Sequence, residues 1–277
     1  MQERTYEEMK PITSRDNQWI KKACFIKQKK GRQQEHMVFV EGMRVVRDAA
    51  ESGISRAICF ISPKGRENEQ FDDLYAKGTA LDWTFFSVTE SVYDKIKDTK
   101  APQGIAAMLP YFTAAMDDLD DLAPQQAVLY LQAVQDPGNL GTIIRTAAAA
   151  NIGAVLLSEE SVDVYNDKTI RSAMGAIFKL PVVQHVSEQA LLDFCRRQGR
   201  ALLGTAPQGT VSYERADYSR PVVLAFGNEG NGLSYELLSC CQDTLSIPMR
   251  SNTESLNLSM SVGIVAYKAW EANGFKE

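Results

Sequence analysis

The chain has 277 residues, of which 44% are apolar and 23% are charged, and its formal net charge is −5. This balance is typical of a globular protein with one large or two smaller domains, and it excludes a disordered or fibrous chain. No run approaches the roughly 18 consecutive apolar residues of a membrane-spanning helix, and the charged stretch 1–10 lacks the apolar core of a signal peptide. We therefore expect no membrane segment and a cytoplasmic location, or an organelle matrix if a transit segment has been removed.

Cysteine and histidine usage narrows the chemistry. The five cysteines are an odd number without a CxxC pair, so we expect reduced and mostly buried thiols. Only two histidines, His36 and His185, are present, and no neighbouring motif supports a metal site or a Ser-His-Asp triad. We therefore expect no metal.

Charge is unevenly distributed along the chain. Residues 1–110 carry 18 Lys and Arg against 16 Asp and Glu, whereas residues 111–277 carry 12 against 19. One short run holds a single acid and seven bases, which we take as candidate RNA-binding residues: Arg15, Lys21, Lys22, Lys27, Lys29, Lys30 and Arg32. Such a run is usually a solvated helix face, but it can also grip phosphates locally.

The first part of the chain alternates between helical and strand patterns. Apolar residues at helical spacing with lysines opposite them predict a basic amphipathic helix, which strand and helix patterns follow. The predicted elements are a helix over 17–29, a strand over 37–40, a helix over 43–52, strands over 57–61 and 81–88, a helix over 90–97 and a strand over 104–109. We therefore predict a small α/β domain over residues 1–110.

An aspartate-rich stretch with Pro124 predicts a linker over 111–124, and a second α/β domain over 125–277 follows it. Strands followed by helices imply a mostly parallel sheet covered on both faces. The predicted elements are strands over 128–134, 154–157, 200–203, 221–226 and 244–247, and helices over 142–151, 169–178, 188–198, 234–241 and 255–273. Ligands of such sheets bind beyond the carboxyl ends of the strands.

Three segments at these strand ends hold most of the unusual residues. Segment one is Gln135–Gly141 with Arg145, segment two is Gly227–Ser234, and segment three runs from Ile247 to Asn257. Segment two reads GxxGxG without lysine, so it matches neither a Rossmann fingerprint nor a P-loop. Glycine and asparagine often serve only as turn residues, but three such segments together favour a shared ligand site.

Individual residues in these segments have structural and functional interpretations. Glu229 either caps the next helix or faces a ligand. We place Arg145 one turn into its helix, where a cation gains nothing from the helix dipole, so its position indicates another task. We place Asn257 inside the last helix, where asparagine is a poor helix former, and therefore favour a ligand contact.

In order and spacing, the three segments resemble the three motifs of the SpoU (TrmH-type) RNA ribose 2′-O-methyltransferases, which belong to the SPOUT superfamily. The resemblance covers residues 125–277 and rests on Asn139 with Arg145, on Gly227–Leu233, and on Ile247-Pro248-Met249 with Glu254-Ser255-Leu256-Asn257. The stretches Phe39-Val40-Glu41-Gly42 and Gln103-Gly104 resemble that family's ribosomal-protein-L30e-like substrate-binding domain.

This resemblance implies a C-terminal SPOUT α/β domain with a deep trefoil knot, preceded by a smaller L30e-like α/β domain. It also implies a homodimer with the active site at the subunit contact, and S-adenosylmethionine as cofactor. Carried over residue by residue, the cofactor site comprises Gly227, Ile247, Leu256 and Thr205. The catalytic set comprises Arg145, Asn139, Glu229, Ser255 and Asn257.

The expected reaction is methyl transfer to a ribose 2′-hydroxyl, with large-subunit ribosomal RNA as the favoured substrate. Arginine is a doubtful general base because its pKa exceeds about 12, so we assign Arg145 an electrostatic role and Ser255 or a water the proton. Proton transfer by the arginine itself stays open. Two alternatives are a transfer RNA 2′-O-methyltransferase and a non-catalytic RNA-binding or ribosome-assembly protein on the same fold.

Overall fold

A computed structural model describes residues 9–251 and 255–276, and the chain divides into two compact units, Met1–Phe112 and Thr113–Glu277. Among these described residues, no helix is both long and apolar enough to cross a membrane.

The first unit contains a five-stranded mixed sheet in the order β1-β4-β3-β5-β2, in which β5 runs antiparallel to β2 and β3. One hydrophobic core includes side chains from α1, α6 and the sheet, among them Ile20, Phe60 and Tyr93. The elements are β1 (Lys10–Ile12), α1 (Gln18–Ile26), α2 (Lys29–Glu35), β2 (Met37–Glu41), α3 (Met43–Glu51), β3 (Ile58–Ile61), α4 (Pro63–Arg66), α5 (Phe71–Ala80), β4 (Thr84–Val88), α6 (Glu90–Ile96) and β5 (Ile105–Pro110).

The basic helix is shorter than predicted. Asn17 caps α1 by accepting a hydrogen bond from the Trp19 backbone N–H at 2.8 Å, and the buried residues Ile20, Ala23 and Ile26 follow at intervals of three. Gln28 then takes an extended conformation, and a separate helix begins at Lys29. The predicted single helix over 17–29 is therefore wrong, because the chain turns once the apolar face has ended.

The second unit contains a seven-stranded, entirely parallel sheet in the order β10-β12-β9-β11-β6-β7-β8. Every residue of β6, β7 and β11 is buried, as expected for strands that helices cover on both faces. The elements are β6 (Val128–Leu131), α7 (Pro137–Ala149), β7 (Ala154–Leu157), α8 (Asp167–Ala173), β8 (Val182–Val183), α9 (Glu188–Arg197), β9 (Ala201–Thr205), β10 (Val211–Ser212), β11 (Val222–Phe226), α10 (Tyr235–Cys240), β12 (Asp243–Ser246) and α11 (Leu258–Ala272), with 3₁₀ turns at Met116–Leu119, Ala176–Phe178 and Tyr213–Arg215.

Residues 113–124, which we expected to form most of the linker, pack as part of the second unit. The Ala114 backbone N–H donates to the Val182 carbonyl at 2.9 Å, which adds this segment to the edge strand β8. Leu119 is fully buried with Tyr130 and Val223 in the core. An apolar side chain within an acidic stretch therefore anchors the segment to the sheet.

Candidate functional site

Segment one forms the first turn of α7 instead of a loop before it. Asp136 caps the helix, because its Oδ1 accepts a hydrogen bond from the Asn139 backbone N–H at 2.7 Å. Its Oδ2 accepts a hydrogen bond from Lys168 Nζ at 2.9 Å, and these two contacts lower the pKa of Asp136 below its ordinary value. Pro137 suits the first helical position, where no N–H is needed. Asn139 is thereby held on the first turn, with its side chain free to face the other segments.

Segment two is a tight loop that only glycine permits at its start. A Cβ on Gly227 would lie 1.9 Å from the backbone carbon of Gly232. Asn228 and Gly232 exchange backbone hydrogen bonds of 3.1 and 2.9 Å, and Asn228 Oδ1 accepts from the Gly230 N–H at 2.8 Å. Asn228 Nδ2 donates to the Ala133 carbonyl at 2.8 Å and ties the loop to the chain just before segment one. Glu229 is exposed beside this fixed turn.

Segment three ends at a helix cap, which corrects our expectation for Asn257. Helix α11 begins at Leu258, not at Ser255, so Asn257 precedes the helix and its Oδ1 accepts a hydrogen bond from the Ser259 backbone N–H at 3.0 Å. The predicted placement of Asn257 inside the helix is therefore wrong, and capping alone favours asparagine here, so the ligand contact stays a prediction without that argument. Asn252, Thr253 and Glu254 of segment three lie outside the described residues.

The structure links the three segments through their side chains. Asn257 Nδ2 donates to Asn139 Oδ1 at 3.0 Å, and Asn139 Nδ2 donates to Glu229 Oε1 at 3.0 Å. Positions 139, 229 and 257 therefore form one polar chain, which we call the Asn-Asn-Glu chain. Asn139 is the central member, because its amide oxygen accepts from Asn257 and its amide nitrogen donates to Glu229.

A cavity of about 490 Å³, called here the glycine-loop cavity, lies where these segments meet the end of β9. Its lining includes all four residues that we assigned to the cofactor, together with Glu229 and Ser255: Thr205, Gly227, Ile247, Leu256, Glu229 and Ser255. The other lining residues include several that we did not single out, among them Ala206, Pro207, Leu245, Met249 and Leu258. Only Met249 lay within a quoted motif. The loop after β9 carries no distinctive sequence pattern.

Charge is sparse around the glycine-loop cavity. Among the described residues, Glu229 is the single ionisable one in its lining, and the remaining lining residues are apolar, amide, hydroxyl or glycine residues. Thr205 Oγ1 is already used, since it donates to the Ala225 carbonyl at 3.0 Å between neighbouring strands. The cavity therefore suits a ligand that binds through backbone groups and apolar contacts and presents its reactive part near one carboxylate.

Arg145 does not line the glycine-loop cavity in the single chain. It is the ninth residue of α7, so it lies more than two turns into the helix, about 9 Å along the axis beyond Asn139, and not one turn in as we predicted. Its side chain is exposed, and within residues 9–251 and 255–276 it has no ion pair or hydrogen bond. The guanidinium is therefore unused within the described fold.

In the first unit, three of the seven predicted RNA-binding residues hold the fold together. Lys27 Nζ donates to the Lys97 carbonyl at 3.2 Å and to Asp98 Oδ1 at 2.8 Å, as well as to the Ile96 carbonyl. Arg32 is only 8% exposed, and its Nη1 donates to the Lys27 carbonyl at 2.8 Å.

The third residue, Lys22, pairs with Glu35 at 2.6 Å. Four members of the run are exposed: Arg15, Lys21, Lys29 and Lys30. The burial of Arg32 and the pairing of the Lys22 and Lys27 ammonium groups therefore favour structural roles for these three residues, and their RNA-binding assignment stays a prediction.

Cysteines and acidic groups provide no further site of known type. All five thiols are free; Cys59 and Cys195 are buried, Cys24 and Cys241 are half-buried, and Cys240 is exposed. Burial raises the pKa of Cys195 to about 12, which keeps this thiol protonated and unreactive. No group of three or more His, Cys, Asp or Glu side chains in the described part of the chain could hold a metal ion.

Comparisons with known proteins agree over nearly the whole chain. The SpoU rRNA Methylase family matches residues 126–267, and the MRM3-like substrate binding domain matches residues 17–107. A 23S rRNA (guanosine(2553)-2′-O)-methyltransferase, RlmP of Bacillus subtilis, is 34% identical over 260 residues, covering 94% of this chain and 98% of the relative. The 23S rRNA (guanosine-2′-O-)-methyltransferase RlmB of Shewanella oneidensis is 29% identical, covering 74% of this chain and 85% of the relative.

Solved structures extend this similarity to the fold. The crystal structure of an AdoMet-bound rRNA methyltransferase from Sinorhizobium meliloti superimposes with a TM-score of 0.86 at 30% identity. The superposition covers 95% of this chain and 98% of that one. The α/β architecture of the chain, including the parallel sheet of the second unit, therefore matches that of a solved methyltransferase structure.

Proposed function

Because the chain belongs to the SpoU rRNA methylase family, we propose that it transfers a methyl group from S-adenosylmethionine to a ribose 2′-hydroxyl of large-subunit ribosomal RNA. The observation that carries this proposal is the Asn-Asn-Glu chain at the rim of the glycine-loop cavity, where Glu229 belongs to both. The names of RlmP and RlmB support ribosomal over transfer RNA as the substrate. Such a substrate also favours the cytoplasmic location that we expected.

The residues around the glycine-loop cavity fit S-adenosylmethionine. Its volume of about 490 Å³ lies in the range of small-molecule sites. Gly227 leaves the backbone bare where a side chain could not fit, so a ligand can approach the peptide groups of segment two closely. Ile247 and Leu256 would hold the apolar parts of the cofactor, and Thr205 would border it. S-Adenosylmethionine supplies an electrophilic methyl group when it is bound.

The polar residues would align the ribose. The 2′-oxygen has to meet the methyl carbon in line with the bond that breaks, and such alignment is worth on the order of 7–11 kcal/mol in well-oriented systems. Asn139 and Asn257 hold Glu229 in one position, which lets its carboxylate orient a ribose hydroxyl without reorganisation. The 2′-hydroxyl proton leaves to a water, either directly or through Ser255, whose hydroxyl borders the cavity and would pass its own proton to solvent as it accepts this one.

The unused Arg145 guanidinium and the surface of α11 support a homodimer. Helix α11 exposes 60% of Met260 and 44% of Tyr267, two residues one heptad apart on the helix that packs against α7. Exposed apolar side chains so arranged favour a protein contact. A second copy bound there would bring its own Arg145 to the cavity, where the guanidinium would hold the adjacent RNA phosphate and stabilise the developing alkoxide.

Two finer features of the fold belong to the same proposal. We infer a deep trefoil knot in the second unit, which the meeting of Ile247, Met249, Ser255 and Leu256 with the loops after β9 and β11 supports. We assign the first unit to an L30e-like RNA-binding domain. Its exposed bases Arg15, Lys21, Lys29 and Lys30 supply positive charge for RNA phosphates.

The decisive experiment maps ribose methylations in RNA from cells with and without the gene. Loss of one 2′-O-methyl group from large-subunit RNA would support the whole proposal. Loss of a transfer RNA methylation would instead support the alternative, a transfer RNA 2′-O-methyltransferase. An unchanged methylation map, together with no calorimetric binding of S-adenosylmethionine to the purified chain, would favour a non-catalytic RNA-binding protein.

A further inference from the structure

A second cavity, of about 450 Å³, borders the same glycine-rich loop. It shares Asn228, Asn231 and Gly232 with the glycine-loop cavity, so a group bound in one lies beside a group bound in the other. We call it the acidic cavity because, among the residues that the structure describes, its lining includes three carboxylates, at Glu159, Glu160 and Glu188, and no Lys, Arg or His. The proposed function above does not use it.

The charge of the acidic cavity determines what can bind there. Three carboxylates without a cation repel an RNA phosphate and favour groups that donate hydrogen bonds. Among the parts of an RNA, the edges of the bases carry such donors without negative charge. The cavity is therefore better suited to an RNA base than to the sugar-phosphate backbone of the RNA.

Glu188 is fixed in the wall of the acidic cavity. Its Oε1 accepts hydrogen bonds from Gln132 Nε2 at 2.6 Å and from Ser234 Oγ at 2.9 Å, which orients the carboxylate. Gln132 Oε1 in turn accepts the Ser234 backbone N–H at 2.7 Å, at the start of α10. These contacts use one oxygen of Glu188 and leave Oε2 for a ligand.

Tyr130 gives independent support for a ligand in the acidic cavity. It lines this cavity, its side chain is fully buried, and its hydroxyl has no hydrogen-bond partner among the described residues. Burial, followed by the charges of Glu188, Glu160 and Glu159, raises the pKa of Tyr130, so the hydroxyl stays protonated near those carboxylates. A buried hydroxyl without a partner costs free energy that a bound acceptor would recover.

We propose that the acidic cavity receives the base of the target nucleotide and selects guanine, an inference that rests on the proposed function. Guanine presents two neighbouring donors, N1–H and the N2 amino group, which a carboxylate such as Glu188 can accept. Its O6 is an acceptor for the Tyr130 hydroxyl. Enzymes that act on one nucleotide commonly extrude it and read its Watson–Crick edge in this way. The shared loop would keep the ribose of that nucleotide at the glycine-loop cavity.

The first test uses the nucleotide that the methylation map identifies. We expect it to be a guanosine, and any other base there would overturn the inference while leaving methyl transfer intact. In a synthetic RNA fragment around the site, replacing that guanosine by inosine removes the N2 amino group alone. We expect kcat/KM of the full-length protein to fall about 3- to 10-fold, the effect of one missing hydrogen bond.

Two variants assign the effect to this cavity. Tyr130→Phe should raise the KM for the guanosine RNA about 3- to 10-fold and leave the Kd for S-adenosylmethionine unchanged. Glu188→Gln should abolish most of the difference between guanosine and inosine RNA, because the residue that reads the amino group is altered. Tyr218→Phe is the matched control, since this buried tyrosine donates to the Tyr213 carbonyl and does not line the cavity.

The outcomes separate this inference from the proposed function. Normal methylation of a guanosine that is insensitive to inosine, to Tyr130→Phe and to Glu188→Gln would overturn the base assignment only. Absence of both methylation and S-adenosylmethionine binding in the unmodified protein would overturn the proposed function, and the inference with it.

Discussion

Glu41 ends a strand of the first unit, Glu229 follows a strand of the second by three residues, and each directly precedes a glycine. Glu41 is half-buried, and its Oε2 accepts hydrogen bonds from the backbone N–H groups of Asp98 and Thr99 at 2.8 and 2.9 Å. Its Oε1 accepts from the Tyr93 hydroxyl at 3.3 Å. Glu229 is exposed and accepts one side-chain hydrogen bond, from Asn139. The first carboxylate stabilises its own unit, and the second faces a cavity.

The two sheets explain this difference. The first is mixed, so its strand ends are divided between two edges and its polar groups mostly satisfy neighbouring loops. The second is entirely parallel, so the carboxyl ends of β6, β9 and β11 lie at one edge, where their loops meet each other. Similar residues therefore have structural roles in one unit and site roles in the other, and the following variants test that division.

The largest effect should come from Gly227→Ala. The new Cβ would overlap the backbone of Gly232, and backbone cannot move aside as a flexible side chain can. We expect S-adenosylmethionine affinity to fall by more than about 100-fold, measured by calorimetry, which corresponds to some 2.7 kcal/mol. Gly230→Ala is the control in the same loop, since its Cβ would approach only Asn228 Oδ1, at 3.4 Å. Equal losses in the two variants would contradict a close approach at Gly227.

Arg145→Ala should lower kcat on the order of 100- to 1,000-fold with little change in cofactor affinity, because the guanidinium acts only on RNA and on developing charge. Arg145→Lys should also fail if a bidentate phosphate contact is needed. Single-turnover kinetics on large-subunit RNA measures the rate of methyl transfer by both Arg145 variants.

The same variant tests the dimer. Mixing Arg145→Ala with Glu229→Gln chains should restore part of the activity, since one site of each mixed dimer then receives both intact residues. A mixture that gains no activity over the two impaired parents after verified subunit exchange would place Arg145 in the same chain as its cavity.

Glu229→Gln and Asn139→Ala should each lower kcat about 10- to 100-fold, because either change breaks the Asn-Asn-Glu chain at the cavity. The double variant should be little worse than either single one, as expected for residues that act as a unit. Glu41→Gln is the matched control and should instead lower the free energy of unfolding by about 1–3 kcal/mol with kcat unchanged. Urea denaturation and turnover assays distinguish these effects. A similar loss of unfolding free energy in Glu229→Gln would contradict the difference that we propose between the two carboxylates.

The smallest effect concerns the basic segment. Lys29→Ala with Lys30→Ala should weaken RNA binding a few-fold and reduce the slope of log K against log salt by about 0.7 for each phosphate that is no longer neutralised. Arg32→Ala should leave that slope unchanged and destabilise the first unit by about 1–3 kcal/mol, since its partner, the Lys27 carbonyl, is left without this donor. Filter binding at several salt concentrations gives the slopes. A larger change of slope for Arg32→Ala than for the double lysine variant would indicate that Arg32 binds RNA.

Local sequence signals predicted the residues of the glycine-loop cavity well. Gly227, Ile247 and Leu256 belong to short segments whose turn chemistry is readable without neighbours, and a parallel sheet brings such segments to one edge. Helix starts were predicted less well at the same place. Asp136 and Asn257 both begin helices, but we read the first as part of a loop and the second as helix interior. A cap is recognised by which N–H it accepts, and that depends on the conformation of the next three residues.

Other features depended on contacts that no local pattern contains. Helix α5 was missed because only Phe71, Leu74 and Gly78 of its ten residues are buried, which gives a weak apolar face. Strands β1, β8 and β10 span two or three residues each, too few for an alternating pattern. The internal use of Lys27 depends on the end of α6, some 70 residues away, so its charge alone could not reveal it.

The Asn-Asn-Glu chain joins positions that are 90 and 118 residues apart, and this separation bears on how the protein matures. Closing such long loops is entropically costly, and parallel sheets fold slowly for that reason. During synthesis, the Asn-Asn-Glu chain cannot form until residue 257 has left the ribosome. Acquisition of methyl-donor affinity during synthesis should therefore be among the last folding events and can serve as a readout of finished folding.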